Sequence, residues 1–395
     1  MNSVVNGGAH PLLVLVAGAK GAVGSTLAAL IASLRRSPER VTPYLTTNGI
    51  EDFLAAAVRT RLAGWDTNPT AIDEVLRQQG VVPWSTCKPL LADLKDFFWL
   101  DAPDPLQGLA RQVERIRRDI RRLGERHPGY RMVLVNLLPA AAAGDFSDCG
   151  NFPQLFDRTR PGGFPDMAYA AAAVLTGIPV VNFSPNVLEI PLLLEQASKK
   201  DLPIAGRDGK TGQTYLKVVL ASAFRARHLR VDGWYSLNIL GNADGANLME
   251  PGNATDKIRH KTDLLDRILE YPVGKRYGAP SHKVHIDYYP PRGDAKEAWD
   301  VIDFEGIFGL PMSLRLNLQG RDSILAAPMV LDLARWMAVL QMAGRSGAIP
   351  ELAFYFKQAV GDHPPVTFED QIFALQRLED EVSSGLQNFR PVASV

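Results

Sequence analysis

The chain has 395 residues, 46% of them hydrophobic, and equal numbers of basic and acidic side chains, 43 Lys+Arg against 43 Asp+Glu. That length supports two cores, and the balanced charge excludes a global field that would recruit nucleic acid or a membrane surface. Two cysteines, Cys87 and Cys149, lack metal-ligand spacing and argue against a disulfide framework, so a reducing cytoplasm is the expected compartment.

No Lys or Arg precedes the first apolar run, Leu12–Ala19, which is too short for a membrane span or a signal sequence. Its first part, LLVLVA, reads as a strand buried on both faces. It runs into Gly18-Ala19-Lys20-Gly21-Ala22-Val23-Gly24 and then a helical pattern from Ser25. Strand, glycine turn and helix open a dinucleotide-binding fold: the glycines allow a tight turn and close approach to a pyrophosphate at the helix N-terminus. Ser25 stands where a Walker loop requires lysine, so that alternative is excluded.

A second strand is expected at Val41–Leu45, ending at Thr46-Thr47-Asn48-Gly49, with a ribose-binding acid nearby. No acid stands in that turn. Glu51 and Asp52 follow it, and Asp66, in Gly64-Trp65-Asp66-Thr67, is another candidate that could equally cap the next helix. Arginines crowd residues 107–126, but Leu109, Val113, Ile116, Ile120 and Leu123 recur at helical spacing and leave the arginines on a solvated face. Met132–Leu138 and Ile178–Phe183 read as further buried strands, each after a helical pattern, which predicts a parallel sheet with crossover helices. Asn136 and Asn182–Asn186 then fall at the carboxyl edge, where such sheets bind ligands.

Asp208–Thr214 leads into the helical YLKVVLASAFRAR, an anion cradle or a plain helix cap. From Trp234 the texture changes to a mainly antiparallel sheet, with Val284–Tyr289 and Ser313–Leu318 alternating. His282 and His285 read as strand-surface residues without partners for a metal site, and no metal is expected. Between the strands, Leu240–Lys261 passes from a polar turn into a helical segment with Lys257 and Lys261 on one face, where like charges repel unless an anion lies between them. Asp322-Ser323 opens the long helix pattern ILAAPMVLDLARWMAVL, and Lys357 sits in the apolar run 353–358, as a snorkelling lysine would.

These motifs together resemble the myo-inositol-1-phosphate synthase family, in register from Gly64-Trp65-Asp66 through Ser184-Pro185, Asp208–Thr214, Leu240–Lys261, Gly293–Lys296 and Asp322–Leu331 to Lys357. The resemblance implies an α/β fold: an NAD-binding Rossmann-type doubly wound parallel sheet, residues 1–205 plus 325–395, with an inserted α+β catalytic and oligomerisation domain, residues 206–324. It implies an isomerase that turns D-glucose 6-phosphate into 1D-myo-inositol 3-phosphate through oxidation at C5, enolate formation at C6, attack on the C1 aldehyde and re-reduction. A cytoplasmic homotetramer with a small sugar-phosphate substrate goes with it. The family's phosphate loop matches Thr211, Gly212, Gln213 and Thr214. Its catalytic lysines match Lys257, Lys261, Lys296 and Lys357, and its acids Asp208, Asp294 and Asp322. The NAD site matches Gly18, Ala19, Gly21, Ala22, Val23 and Gly24 of the turn, with Asp66, Ser184, Asn242, Asp244 and Ser323, and Asn136 at the carboxyl edge is a further cofactor-binding candidate.

The residue types suit that chemistry, because fixed cations belong where alkoxide and enolate charge develops, and crowded, desolvated lysines exchange protons more readily. Several positions depart from the family pattern: Thr211 replaces its serine, Ala243 replaces an amide, and Asp256 and His260 stand before the two helix lysines. A cyclase acting on another sugar phosphate, a plain NAD-linked dehydrogenase and a non-catalytic sensor are the alternatives.

Overall fold

A computed structural model describes residues 10–54, 59–141, 144–159, 163, 165–241, 245 and 264–387, with the backbone alone at 48, 51, 52 and 387. The first sheet is parallel and has the strand order β11-β6-β5-β4-β1-β2-β3. Its strands are β1 (Leu12–Ala17), β2 (Arg61–Asp66), β3 (Phe98–Asp101), β4 (Arg131–Asn136), β5 (Val180–Asn182), β6 (Pro203–Gly206) and β11 (Gly347–Ala348). From β3 to β6 this is the doubly wound dinucleotide-binding order, with the switch point between β1 and β4.

Strand β1 shows why its sequence is continuously apolar. Leu12, Val14 and Val16 point into one core, and Leu13, Leu15 and Ala17 into the core on the opposite face. Alternate residues of a strand face opposite sides, so a sheet covered on both sides leaves no polar position. Helix α1 (Ala22–Arg36) covers the first face. Helices α2 (Leu109–Arg126) and α3 (Pro165–Thr176) cover the second. In α2 the five apolar residues read from the sequence are all buried, and its exposed positions are taken mainly by arginine and glutamate.

The expected strand at Val41–Leu45 does not form. Pro38–Val41 is a helical turn and Thr42–Tyr44 a 3-10 turn, each with proline in its first turn. Proline fixes φ near the helical value and lacks the N–H that a central strand must donate, so Pro38 and Pro43 favour the turns. The second strand is Arg61–Asp66 instead, and it ends on the acid that Rossmann sheets place there.

The second sheet has the order β10-β9-β7-β8, from β7 (Arg230–Leu240), β8 (His282–Tyr288), β9 (Ala295–Glu305) and β10 (Pro311–Arg321). Two of its three pairings are antiparallel, and β7 with β8 is parallel. Helix α4 (Gln213–Ala226) packs Val218, Ala221 and Phe224 with Trp234, Leu265, Ile268 and Ile302 in a third core. Helix α5 (Asp322–Met342) follows β10 directly and carries Ala327, Val330, Leu331 and Ala334 back into the α1 face of the first sheet. It is long and apolar enough to cross a membrane, but its apolar window is mostly buried within the protein. Helix α6 (Phe368–Gln387) adds Leu378 and Val382 to the same core.

Candidate active site

Strand register builds the first part of the site. Ala17 pairs with Trp65 and Asn136, Asn136 with Asn182, and Asn182 with Gly206. The residues that follow those ends, Gly18, Asp66, Leu137, Phe183 and Arg207, share one carboxyl edge. Gly18 has φ +84°, and a Cβ there would meet the Leu137 carbonyl oxygen at 3.1 Å, so only glycine fits. The first intrahelical bond of α1 is Ser25 N–H to Gly21 O, 2.9 Å, which leaves the Ala22, Val23 and Gly24 amides ahead of the helical ladder. A cavity of about 460 Å³ opens here between Gly18, Gly21, Asp66, Leu138 and Tyr169.

Asp66 does not cap a helix, because the next one begins at Ile72 with Ala71 as its N-cap. Its carboxylate accepts the Lys20 amide at 2.7 Å and the Asn68 amide at 2.9 Å. A carboxylate has about four lone-pair sites, so capacity remains for a diol. Asn136 is different. It is fully buried, its Nδ2 donates to Asp166 Oδ2 and Asn182 Oδ1, and its Oδ1 accepts the Leu138 amide. The side chain of Asn136 thus ties the ends of β4 and β5 together and meets the cleft only through the backbone it places. Burial raises the pKa of the Asp166 carboxyl in this network, opposed by the amides of Asn186 and Asn136.

The second part of the site begins where β6 ends. Asp208 N–H donates to Ser184 O, Gly209 N–H to Phe183 O, Lys210 N–H to Tyr355 O and Lys357 N–H to Asp208 O, at 2.7 to 3.1 Å. This ladder holds Asp208 at φ +59°, a left-handed conformation that aspartate tolerates better than most side chains. A Cβ at Gly209 would lie 2.1 Å from the Phe183 ring, so the loop can approach that ring only at a glycine. The ladder also joins Ser184 on the sheet edge to Asp208 and Lys357. Lys357 Nζ donates to Asp208 Oδ1 at 2.7 Å, so this lysine is an ion-pair member and does not snorkel.

Asp322, the first residue of α5, brings the remaining groups together. Its Oδ1 accepts the Thr211 hydroxyl at 2.9 Å and its Oδ2 the Lys296 ammonium at 3.0 Å. Burial alone would raise its pKa, but the charges of Lys296 and Lys357 and the Lys296 and Thr211 hydrogen bonds hold it below the ordinary carboxylate value. Next to it, Ser323 Oγ donates to Asp294 Oδ1 at 3.1 Å, and burial raises the Asp294 pKa. Asp294 Oδ2 is buried and has no hydrogen-bond partner among the described residues. Asp208, Thr211, Lys296, Asp322 and Lys357 are thereby linked, with Asp294 and Ser323 alongside. Lys257, Lys261, Asn242 and Asp244 lie outside the described residues.

Gly212, the N-cap of α4, carries no side-chain cap, and the first bond of that helix is Leu216 N–H to Gly212 O. The amides of Gln213, Thr214 and Tyr215 therefore precede the ladder beside Thr211. The side chain of Gln213 points inward: it donates to Asp300 Oδ2 and accepts from Asn238 Nδ2.

Two buried lysines escaped the sequence reading. Lys210 turns away from its loop, donates to Ala353 O and Gln371 Oε1, and is pulled down to about pKa 7 by burial. Lys217 lies 2.7 Å from His282 Nε2, and burial lowers it to about 8 against the opposing charge of Asp300. His282 is therefore a buried residue facing α4, whereas His285, on the other face of β8, is exposed and lies 5.4 Å from the Tyr235 ring. No local pattern marks Lys217 and His282 as partners, since they stand 65 residues apart. A larger cavity, about 650 Å³, lies against α1 and α5 among Leu30, Leu325, Met329 and Phe354. Of the expected site residues it touches only Thr211, so the strand edge is the better candidate.

A family profile described as myo-inositol-1-phosphate synthase matches residues 212–323. Inositol-3-phosphate synthase 1 of Bacteroides thetaiotaomicron is 44% identical over 220 residues, 54% of this chain and 50% of that protein. Its namesake in Oryza sativa is 33% identical over 232 residues, 56% of this chain and 45% of that protein. The matched region is thus about half the length of these curated relatives. Among solved structures, inositol-3-phosphate synthase of Caenorhabditis elegans superposes with TM-score 0.81 at 19% identity, covering 98% of this chain and 90% of that one. A myo-inositol-1-phosphate synthase-related protein of Thermotoga maritima gives 0.73 at 20% identity, covering 95% and 99%. At such identities the superpositions establish the fold, and the sequence matches, over about half of the chain, show that it is similar to the myo-inositol-1-phosphate synthase family.

Proposed function

We propose that the chain is an NAD-dependent cyclase converting D-glucose 6-phosphate to 1D-myo-inositol 3-phosphate. The observation that carries this reading is the linkage of Lys296 and Lys357 to Asp322 and Asp208 beside Thr211 and the start of α4. The turn at Gly18, the amides ahead of α1 and the spare lone pairs of Asp66 suit a dinucleotide's pyrophosphate and ribose. NAD bound there would supply the hydride acceptor and donor for the C5 carbon. Asn242, Asp244, Ser184 and Ser323 complete its site in this reading.

The protein's own groups do the rest. Thr211 and the first amides of α4 hold the phosphate ester, with Lys261. Lys357, fixed by Asp208, exchanges the proton at O5 together with Lys257. Lys296, fixed by Asp322, faces the developing charge at the C1 aldehyde oxygen. Asp294, with a buried oxygen and a raised pKa, stands beside the Asp322–Lys296 pair. Holding both ends of one sugar brings C6 within reach of C1, and such positioning is a large share of the barrier for ring closure. The reading includes a cytoplasmic homotetramer, with residues 206–324 as the catalytic and assembly unit. The exposed side chains of Tyr235 and Trp299 on the open face of the second sheet support that assembly.

Incubation with glucose 6-phosphate and a trace of NAD+ tests the proposal. An inositol phosphate should appear by phosphorus NMR without accumulation of NADH absorbance. Stoichiometric NADH would identify a dehydrogenase, and absence of turnover with intact NAD+ binding a sensor. Lys357→Ala should abolish product while leaving NAD+ affinity within about twofold, since the lysine acts on reacting oxygens and not on the dinucleotide.

A further inference from the structure

The reading of the Thr211 loop as a phosphate site leaves open what fixes the loop. Gln213 is the first residue of α4, and its amide side chain is buried. It bridges two residues of the second sheet: Asn238 Nδ2 donates to Gln213 Oε1 at 2.7 Å, and Gln213 Nε2 donates to Asp300 Oδ2 at 2.9 Å. Asp300 is 2% exposed, and its other oxygen accepts Trp234 Nε1 at 2.7 Å and Ser236 Oγ at 2.5 Å. One turn along the same face of α4, Lys217 meets His282 of β8. The helix is therefore fastened to the sheet at two successive turns, from β7 and β9 at the first and from β8 at the second.

We propose that Asp300 is a positioning residue for phosphate binding: through Gln213 it sets the direction of the first amides of α4. The donor and acceptor order of the chain Asn238, Gln213, Asp300 is fixed, because a carboxylate only accepts and Asp300 is already the acceptor for Trp234 and Ser236. An acid at 238 presents an acceptor to an acceptor whichever way Gln213 is turned, because Asp300 offers no donor to the flipped amide. A buried polar group left unmatched costs more than an average hydrogen bond contributes, and the first turn must move to relieve it.

The order can also be inverted. Asn238→Asp with Asp300→Asn lets Gln213 flip, so that Nε2 donates to residue 238 and Oε1 accepts from residue 300. Trp234 and Ser236 keep an acceptor at the new amide oxygen. Asn238→Asp alone leaves one mismatch and the pair leaves none, whereas Asp300→Asn alone is relieved when Gln213 and Asn238 both turn over.

The experiment measures affinity for inorganic phosphate, glucose 6-phosphate and NAD+ by titration calorimetry, with the melting temperature of each variant. Asn238→Asp and Asp300→Ala should each weaken phosphate and glucose 6-phosphate binding about tenfold with NAD+ affinity unchanged, and Asn238→Asp combined with Asp300→Asn should recover to within about threefold. Folded single variants with native phosphate affinity, or a parallel loss of phosphate and NAD+ affinity, would overturn the proposal. Should a single variant not fold, Ser236→Ala, which removes one donor to Asp300, is expected to weaken phosphate binding about threefold, and unchanged affinity there has the same consequence. This inference rests on the phosphate-loop reading. If the native protein binds glucose 6-phosphate but makes no cyclic product, the reaction assignment fails while the affinity series still decides the role of Asp300. If it binds no phosphate at all, both fail.

Discussion

Replacing Lys210 with Met isolates the cost of burying a lysine behind the Thr211 loop. The side chain is 2% exposed, and its ammonium donates to Ala353 O at 3.0 Å and Gln371 Oε1 at 2.7 Å. Burial pulls its pKa down to about 7. Against an unfolded value near ~10.4 the gap is roughly three units, worth about 4 kcal/mol at about 1.4 kcal/mol per unit. The sign follows from proton binding: between pH ~7 and ~10.4 the unfolded chain holds the proton more tightly, so stability rises with pH across that window and is flat below it. Lys210→Met abolishes this slope and leaves two acceptors without a donor, each costing about 1–3 kcal/mol. At pH 7 the relieved cost of the displaced proton and the two lost bonds nearly offset each other, so the variant should start within a few kcal/mol of the native protein. Relative to the native protein it should then lose up to about 1.4 kcal/mol per unit as the pH rises toward 9.5. Guanidinium denaturation of both proteins at pH 7, 8, 9 and 9.5 measures the difference. A stability gap that stays constant with pH would refute the assignment of a displaced proton to this lysine.

Gly18→Ala places a methyl group at φ +84° and 3.1 Å from the Leu137 oxygen. The expected loss is about 1–2 kcal/mol in thermal denaturation together with at least a tenfold weaker NAD+ titration, and native NAD+ affinity would count against the turn as the pyrophosphate site. Asp322→Asn removes the charge that orients Lys296 and accepts from Thr211. Turnover of glucose 6-phosphate should fall about 100-fold with NAD+ affinity retained, and a steady-state assay showing native kcat would remove Asp322 from the mechanism.

The parts of the fold legible in the sequence were those set by strong local patterns. LLVLVA before a glycine turn can hardly be anything but a doubly covered strand, and the apolar stripe of Leu109–Arg126 leaves its helix face no alternative. The second strand was misplaced because Val41–Leu45 looks apolar and β-branched, while the prolines around it favour turns. The true strand, RLAGWD, carries an arginine, a glycine and an aspartate, and is a strand because β1 and β3 pair with it on either side. His282 misled in the same manner: alternation placed it on a strand, but only the docking of α4 decided which face would be buried.

By itself, the sequence determined which side chains are available for chemistry and on which segments they ride: the glycines of the turn, Thr211 before a helix, the separate lysines and acids. Which lysine meets which acid was decided only by tertiary structure. Asp208 and Lys357 stand 149 residues apart and Thr211 and Asp322 stand 111 apart, yet each pair is joined by a hydrogen bond because α5 returns the chain from the second sheet to the first. Local propensity acts over a few residues, whereas the pairing of buried charges is settled by the packing that removes them from water.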